Sequence, residues 1–297
     1  MDGNWGRWGK EDQAGALNLI DARKRLSALS IPQRGEVYSL GQDIRPDGVP
    51  MAPDGVRGFF IRPLHMMLYD GGDEASGCST RGDNYFSSED YLGIRIHGST
   101  THVDALSHGW KDQTLYNGFS RDTVNSFGAS KLGIENAPHF VTRGVLFDVA
   151  RSKGIDHVDI DYEITVDDLK ACHDVALEPG DAVLVRTGWH SVYYSDPDSY
   201  NQFAWPGLGI DAVRWLASQD VVLIGADNIG VEIASPVFIQ TGSRGHGMLL
   251  RDYGIYILEL LNLEELSASG AVEFLFTMAP LRIAGGTGSP VNPLAVV

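Results

Sequence analysis

Cysteine is scarce: Cys78 and Cys172 are the two in 297 residues, and neither belongs to a Cys-x-x-Cys pair. That excludes a zinc ribbon and a disulfide scaffold, and it suits a reducing cytoplasm where both thiols are inert. No apolar run reaches the length of a bilayer span, and the N-terminus opens polar and aromatic, without a signal-peptide core. A soluble, cytoplasmic protein is expected. Basic residues are few: 23 Lys and Arg stand against 39 Asp and Glu, a net charge of −16. Nucleic acid and anionic membrane, which need basic patches, are excluded as partners, and a small-molecule substrate is the expectation. Gly-x-Ser-x-Gly is missing, which removes support for a serine-nucleophile hydrolase. Gly285-Gly286-Thr287-Gly288 lacks the Lys-Ser/Thr of a phosphate loop, and Gly225 to Gly230 lacks dinucleotide-binding spacing.

What is present reads as an α/β chain. Strands are expected at Glu36 to Leu40, Gly144 to Ala150, Ala182 to Thr187, Val221 to Ala226, Ile255 to Glu259 and Glu273 to Met278. Thr165-Val166-Asp167-Asp168 has the form of a capping box. Ile210 to Ser218 is amphipathic, with Val213, Trp215 and Leu216 toward a core. Met51 to Gly82, rich in Gly, Pro and Asp, reads as a long excursion near an active site. Asp156 to Asp161 reads as a solvated loop, since no EF-hand spacing follows. Without internal repeat or linker, one domain over 1–297 is the simplest division, with 1–20 as an N-terminal arm.

Chemistry concentrates in His97-Gly98-Ser99-Thr100-Thr101-His102-Val103-Asp104-Ala105-Leu106-Ser107-His108, which holds three of nine histidines and no Lys, Arg or Glu. It follows Tyr91 to Ile96, an apolar run that looks like a strand entering the core. On an extended strand, residues two apart share a face, so His102 and Asp104 point together. Imidazole nitrogen and carboxylate oxygen are ligands for Zn²⁺ or Mn²⁺. A second half must come from a distant segment, and His246 to Glu259 offers candidates. Glu259 ends an apolar run, where a carboxylate is costly to bury unless paired or ligated.

These residues carry a resemblance to the cyclase family, the kynurenine formamidase and isatin hydrolase group. Its pattern is close to His-x-Gly-Thr-His-x-Asp-x-Pro-x-His followed by a distant His and Glu. Thr101 to Ala105 with His108 matches the centre and end, and His246 with Glu259 matches the distant pair. Asn4 to Gly9, Gly15 to Ile20, Asp181 to Trp189 and Pro280 to Pro290 resemble the opening, a central strand and the ending of a longer subgroup. Two positions depart from the pattern. Leu106 replaces the proline, and Gly98 stands where the first histidine belongs. His97 lies five residues before His102, on the opposite face of an unbroken strand, so it serves the pocket unless a bulge at Gly98 or Ser99 turns it toward the metal.

The resemblance implies a single layered β/β/α domain with mixed sheets, of swivelling type, and a homo-oligomer (dimer or tetramer). It also implies a divalent metal, Zn or Mn, as one or two ions, held by His102, Asp104, His246, Glu259 and potentially His97. His108 is the proton carrier or, alternatively, a ligand of a second metal. The implied chemistry is hydrolysis of an amide, cyclic amide, imide or lactone, often beside an aromatic ring. Trp5, Trp8, Phe59, Trp110 and Trp189 are the candidates for an aromatic pocket. The alternative is a cyclase or lyase acting on a polyketide-like or β-keto substrate through an enolate.

Overall fold

The computed structural model describes residues 3–46, 48, 62–77, 87–196, 200, 204–234 and 244–297. Cys78, Phe59 and half of the Met51 to Gly82 excursion lie outside them. Eleven strands organise the site: β1 (Val37–Ser39), β2 (Leu64–Tyr69), β3 (Glu89–Gly93), β4 (His102–Asp104), β5 (Phe140–Asp148), β6 (Ala182–Arg186), β7 (Leu223–Ala226), β8 (Tyr256–Glu259), β9 (Glu273–Met278), β10 (Gly288–Pro290) and β11 (Leu294–Val296). Nine of them form one mixed sheet in the order β1-β11-β9-β5-β6-β7-β8-β4-β10. Its centre, β5 to β8, is parallel, and antiparallel strands complete both sides.

The central strands are near-continuous apolar runs because parallel strands are covered on both faces. All residues of β6, β7 and β8 are buried. Helix Ile210–Ser218 turns Ala212, Val213, Leu216 and Ala217 inward, while Trp215 is partly buried. Each Val or Leu so buried stabilises the fold by roughly 1.5–3 kcal/mol. Thr165 caps the helix Val166–Lys170 in a complete capping box with Asp168. Among the described residues no helix is long and apolar enough to cross a membrane.

The fold is α/β with a mixed sheet and helices, as the sequence suggests, but three expectations need adjustment. The strand at Gly144 to Ala150 starts earlier and ends earlier, at Phe140–Asp148, and its last two expected residues open a helical turn at Val149–Ser152. Glu36 to Leu40 narrows to β1, an edge strand. The run Tyr91 to Ile96 does not enter the core. Its strand, β3, pairs with β2 in a separate hairpin, and Leu64, Met66, Met67, Leu68, Tyr91 and Leu92 are exposed there. Apolar composition alone does not distinguish a strand inside a large sheet from one half of a hairpin.

Candidate metal centre

His102 and Asp104 are the first and last residues of β4, a strand buried throughout. Alternation turns both side chains to one face. On one side β8 pairs with β4 so that Glu259 lies opposite His102. Cross-strand partners share a face, so Glu259 joins the pair. On the other side β10 places Gly288 opposite Asp104. A Cβ at Gly288 would stand 2.9 Å from the His97 ring and 2.8 Å from the Val103 carbonyl oxygen, so only glycine lets the ring lie there. The glycine-rich ending, read in the sequence as not a phosphate loop, is therefore part of the site's wall.

His97 reaches the cluster because residues 96–99 do not form a continuous strand. Gly98 has φ +86°, and this turn cancels the alternation that would have sent the ring away. His97 Nδ1 lies 2.8 Å from Asp104 Oδ1, and its Nε2 is 3.1 Å from Thr287 Oγ1. His102 Nδ1 is 2.8 Å from the Thr100 carbonyl oxygen, to which it donates, so Nε2 faces Glu259 Oε2 at 3.2 Å and Asp104 Oδ1 at 3.6 Å. His246 comes from the distant segment. It precedes a wide π turn at Gly247–Tyr253, closed by Gly254 at φ +65°, which returns the chain to β8. Its Nε2 lies 2.8 Å from Glu259 Oε1 and 3.6 Å from Asp104 Oδ2.

Two overlapping groups have ligand atoms within 4.8 Å of one another: His97, His102 and Asp104, and Asp104, His246 and Glu259. Fit to a cation rests on what these atoms lack. Both Asp104 oxygens, His102 Nε2 and His97 Nδ1 are buried, and the close N···O approaches among them and to Glu259 lack the geometry of hydrogen bonds. Buried polar atoms are nearly always paired, so four converging orphans of ligand type, with no thiolate, suit a divalent metal.

Electrostatics agree. Burial pushes the His246 imidazole down, but Glu232 and Glu259 outweigh it and hold its pKa well above the ordinary value. His102 is likewise raised, by Glu259 against burial. Burial would raise Glu259, yet His102 and His246 hold it well below the usual carboxylate range. Asp104 is lowered in spite of burial, by its interactions with the neighbouring His108 and His97 imidazoles. Protons on imidazoles thus balance carboxylates where a cation would.

His108 differs from the rest. Burial pushes its pKa down to about 4. Its ring stacks on His97 at 3.8 Å, and its Nε2 is 4.0 Å from Asp104 Oδ2. It keeps 33% side-chain exposure, against 1% for Asp104. It is a neutral imidazole at the open side of the cluster.

The aromatic residues do not gather as expected. Trp5 donates its indole N–H to the Arg251 carbonyl at 2.6 Å, and Trp8 lies under the Arg7 guanidinium. Trp110 is 52% exposed. Trp189 is buried beside Tyr200 in a second apolar cluster with Trp205 and Leu260. The tryptophan that borders the site is Trp205: a Cβ at Gly230 would meet its ring at 3.2 Å and His246 Cε1 at 3.6 Å. Sequence reasoning also missed Thr287 and Glu232, whose Oε1 is 3.2 Å from His246 Nδ1. Glu232 carries the same signal as Glu259, a lone acid in an apolar stretch.

The mixed α/β sheet delivers His and carboxylate atoms to one buried point, in two groups that could hold a metal ion. Comparison with known proteins then narrows the class. The sequence profile of the Cyclase family matches residues 38–233. A crystal structure of a novel cyclase superposes with TM-score 0.89 at 36% identity, covering 99% of both chains. The isatin hydrolase of Roseibium aggregatum is 27% identical over 222 residues, 72% of this chain and 77% of that one. An isatin hydrolase bound to the product analogue thioisatinate has the same fold, with TM-score 0.65 at 21% identity over 94% of this chain and 99% of that one. The chain belongs to the cyclase family of enzymes.

Proposed function

We propose that this enzyme is a metal-dependent hydrolase that opens an amide, cyclic amide, imide or lactone bond in a small, flat carbonyl compound. The observation that carries the reading is the convergence of buried, unbonded atoms of His97, His102 and Asp104 beside Glu259 and His246. The similarity to an isatin hydrolase supports ring opening of a cyclic amide. When bound, Zn²⁺ or Mn²⁺ supplies a Lewis acid that brings the pKa of a water to about 7 and polarises a carbonyl.

The chain's own residues do the rest. His102, Asp104 and Glu259 sit on paired strands, so their spacing is set by sheet register rather than by a loop. His108 is neutral at pH 7 because its pKa lies at about 4. It can take a proton at Nε2 from the attacking water and return it to the departing nitrogen or oxygen. Stacking on His97 holds its ring for that exchange. Trp205, packed with Trp189 and Leu260 near His246, forms the apolar wall behind that ligand.

The test is a panel of isatin, cyclic imides, formanilides and aromatic lactones, assayed with metal-loaded protein in ¹⁸O-labelled water. Hydrolysis places the label in the product. Turnover of none of them, together with metal-dependent cyclisation or dehydration of a β-keto compound, would replace this reading with the lyase alternative.

A further inference from the structure

Glu232 belongs to no motif that pointed to the site, yet it is only 5% exposed and stands behind His246. The two ring nitrogens of His246 are divided. Nδ1 lies 3.2 Å from Glu232 Oε1, while Nε2 faces Glu259 at 2.8 Å and Asp104 at 3.6 Å. The loop bearing Glu232 is strained. Gly230 has φ +111° and Val231 has φ +63°, a region that β-branched residues avoid.

That strain is held from several sides. The Val231 N–H donates to Asn228 Oδ1 at 2.9 Å, and Asn228 Nδ2 donates to the Pro206 carbonyl at 2.6 Å. The Trp205 indole N–H donates to the Glu232 carbonyl at 2.9 Å. Room for the acid is made by glycine: a Cβ at Gly245 would fall 1.6 Å from Glu232 Oε2, and one at Gly207 would fall 2.5 Å from its carbonyl carbon. A buried carboxylate on a strained, clamped loop needs a reason, and the ring it touches supplies one.

We infer that Glu232 is a positioning residue for His246. It accepts the Nδ1 proton, which fixes the tautomer and the ring plane and keeps the Nε2 lone pair turned onto the cluster. The inference rests on the metal-centre reading given above.

The test compares wild type, Glu232→Ala and Glu232→Gln by competition for Zn²⁺ against a chromophoric chelator, with the visible spectrum of the Co²⁺ form and circular dichroism as a folding control. Glu232→Ala should bind metal about 10- to 100-fold more weakly and shift the Co²⁺ bands. Glu232→Gln keeps an acceptor oxygen and should recover to within about fivefold of wild type. Wild-type affinity in Glu232→Ala, or equal loss in both variants with intact folding, overturns the inference alone. A wild-type protein that takes up no metal overturns the metal centre and this role with it. If Glu232→Ala does not fold, Glu232→Gln decides through the His246 Nδ1 resonance in ¹⁵N-histidine spectra: a shift with affinity kept supports the role, and an unmoved resonance overturns it.

Discussion

Asp104 and Asp181 are both 0% exposed, and both stand at an end of a strand, yet their surroundings are opposite. Asp181 is fully satisfied. Its Oδ1 accepts from Lys24 Nζ at 2.6 Å and Arg143 Nε at 3.1 Å, and its Oδ2 accepts from an Arg143 terminal nitrogen at 2.6 Å and the Glu178 N–H at 2.8 Å. Both Asp104 oxygens lack a hydrogen bond, and imidazoles surround them. The first carboxylate is complete with what the chain supplies, so its role ends in holding the helix Ala22–Leu29, which bears Lys24, to β5. The second is incomplete until something else arrives. Burial is the same for the two; what separates structure from function is whether the polar valences are filled.

The sharpest way to break this contrast is to truncate each aspartate. Asp104→Ala should abolish metal uptake and lower turnover by about 10³-fold or more, since several kcal/mol of stabilisation go with the site. The metal-free fold should be kept, because the orphaned carboxylate is gone. Asp181→Ala should do the reverse: a loss of about 2–3 kcal/mol in unfolding free energy, because Lys24 and Arg143 lose their shared buried partner and keep only Glu178, Glu273 and the Ala176 carbonyl, with normal metal stoichiometry in the folded fraction. Elemental analysis and denaturant titration of both variants are the check. Equal effects on metal and stability in both would erase the distinction.

His108→Ala sharpens the comparison within the site. A proton carrier at the rim should cost about 10²- to 10⁴-fold in turnover while the metal stays bound. Loss of one of two ions instead would make His108 a ligand of a binuclear centre.

A third outcome concerns pH. His102 and His246 have raised pKa values, so the metal-free protein holds protons that a cation must displace. Metal affinity should therefore rise with pH through the neutral range, with about two protons released per ion if both rings give one up. Calorimetry in buffers of different ionisation enthalpy counts those protons. A pH-independent affinity would show that the imidazoles are not part of the site.

The sequence makes regular periods readable and irregular ones not. The helix Ile210–Ser218 and the strand Glu273–Met278 appear with the limits their apolar periods suggest. His102 and Asp104 share a face because a period of two survives in a three-residue strand. The facing of His97 is another matter. It depends on φ +86° at Gly98, a single torsion that departs from alternation without changing composition. Glu232 was hidden for the same reason: positive φ at Gly230 and Val231 directs it, and its partner lies fourteen residues away in the sequence. Which aromatic ring lies beside the site was not legible, because tryptophan content says nothing about which ring reaches it. Trp205 does so through contact with the glycine beside His246.

The smallest expected effect lies at Asp168, a satisfied carboxylate at the surface. Lys153 Nζ is 2.6 Å from Oδ1, the Tyr162 hydroxyl donates to the same oxygen at 2.9 Å, and the Thr165 N–H and hydroxyl donate to Oδ2 at 2.9 and 2.8 Å. Burial pushes its pKa up, but these donors outweigh it and hold it at about 2. An unfolded aspartate titrates near 3.9, so the folded state has the lower pKa. The resulting stability is present above pH ~4 and is lost as pH falls toward about 2. The full shift corresponds to about 2.5 kcal/mol, and solvent screening around the lysine reduces it to about 1 kcal/mol. Asp168→Asn should therefore be less stable than wild type by that amount at pH 6, and the gap should shrink to about a third of it near pH 2.5. Paired denaturant titrations at the two pH values measure it. An undiminished gap in acid would assign the loss to the capping geometry rather than to the charge.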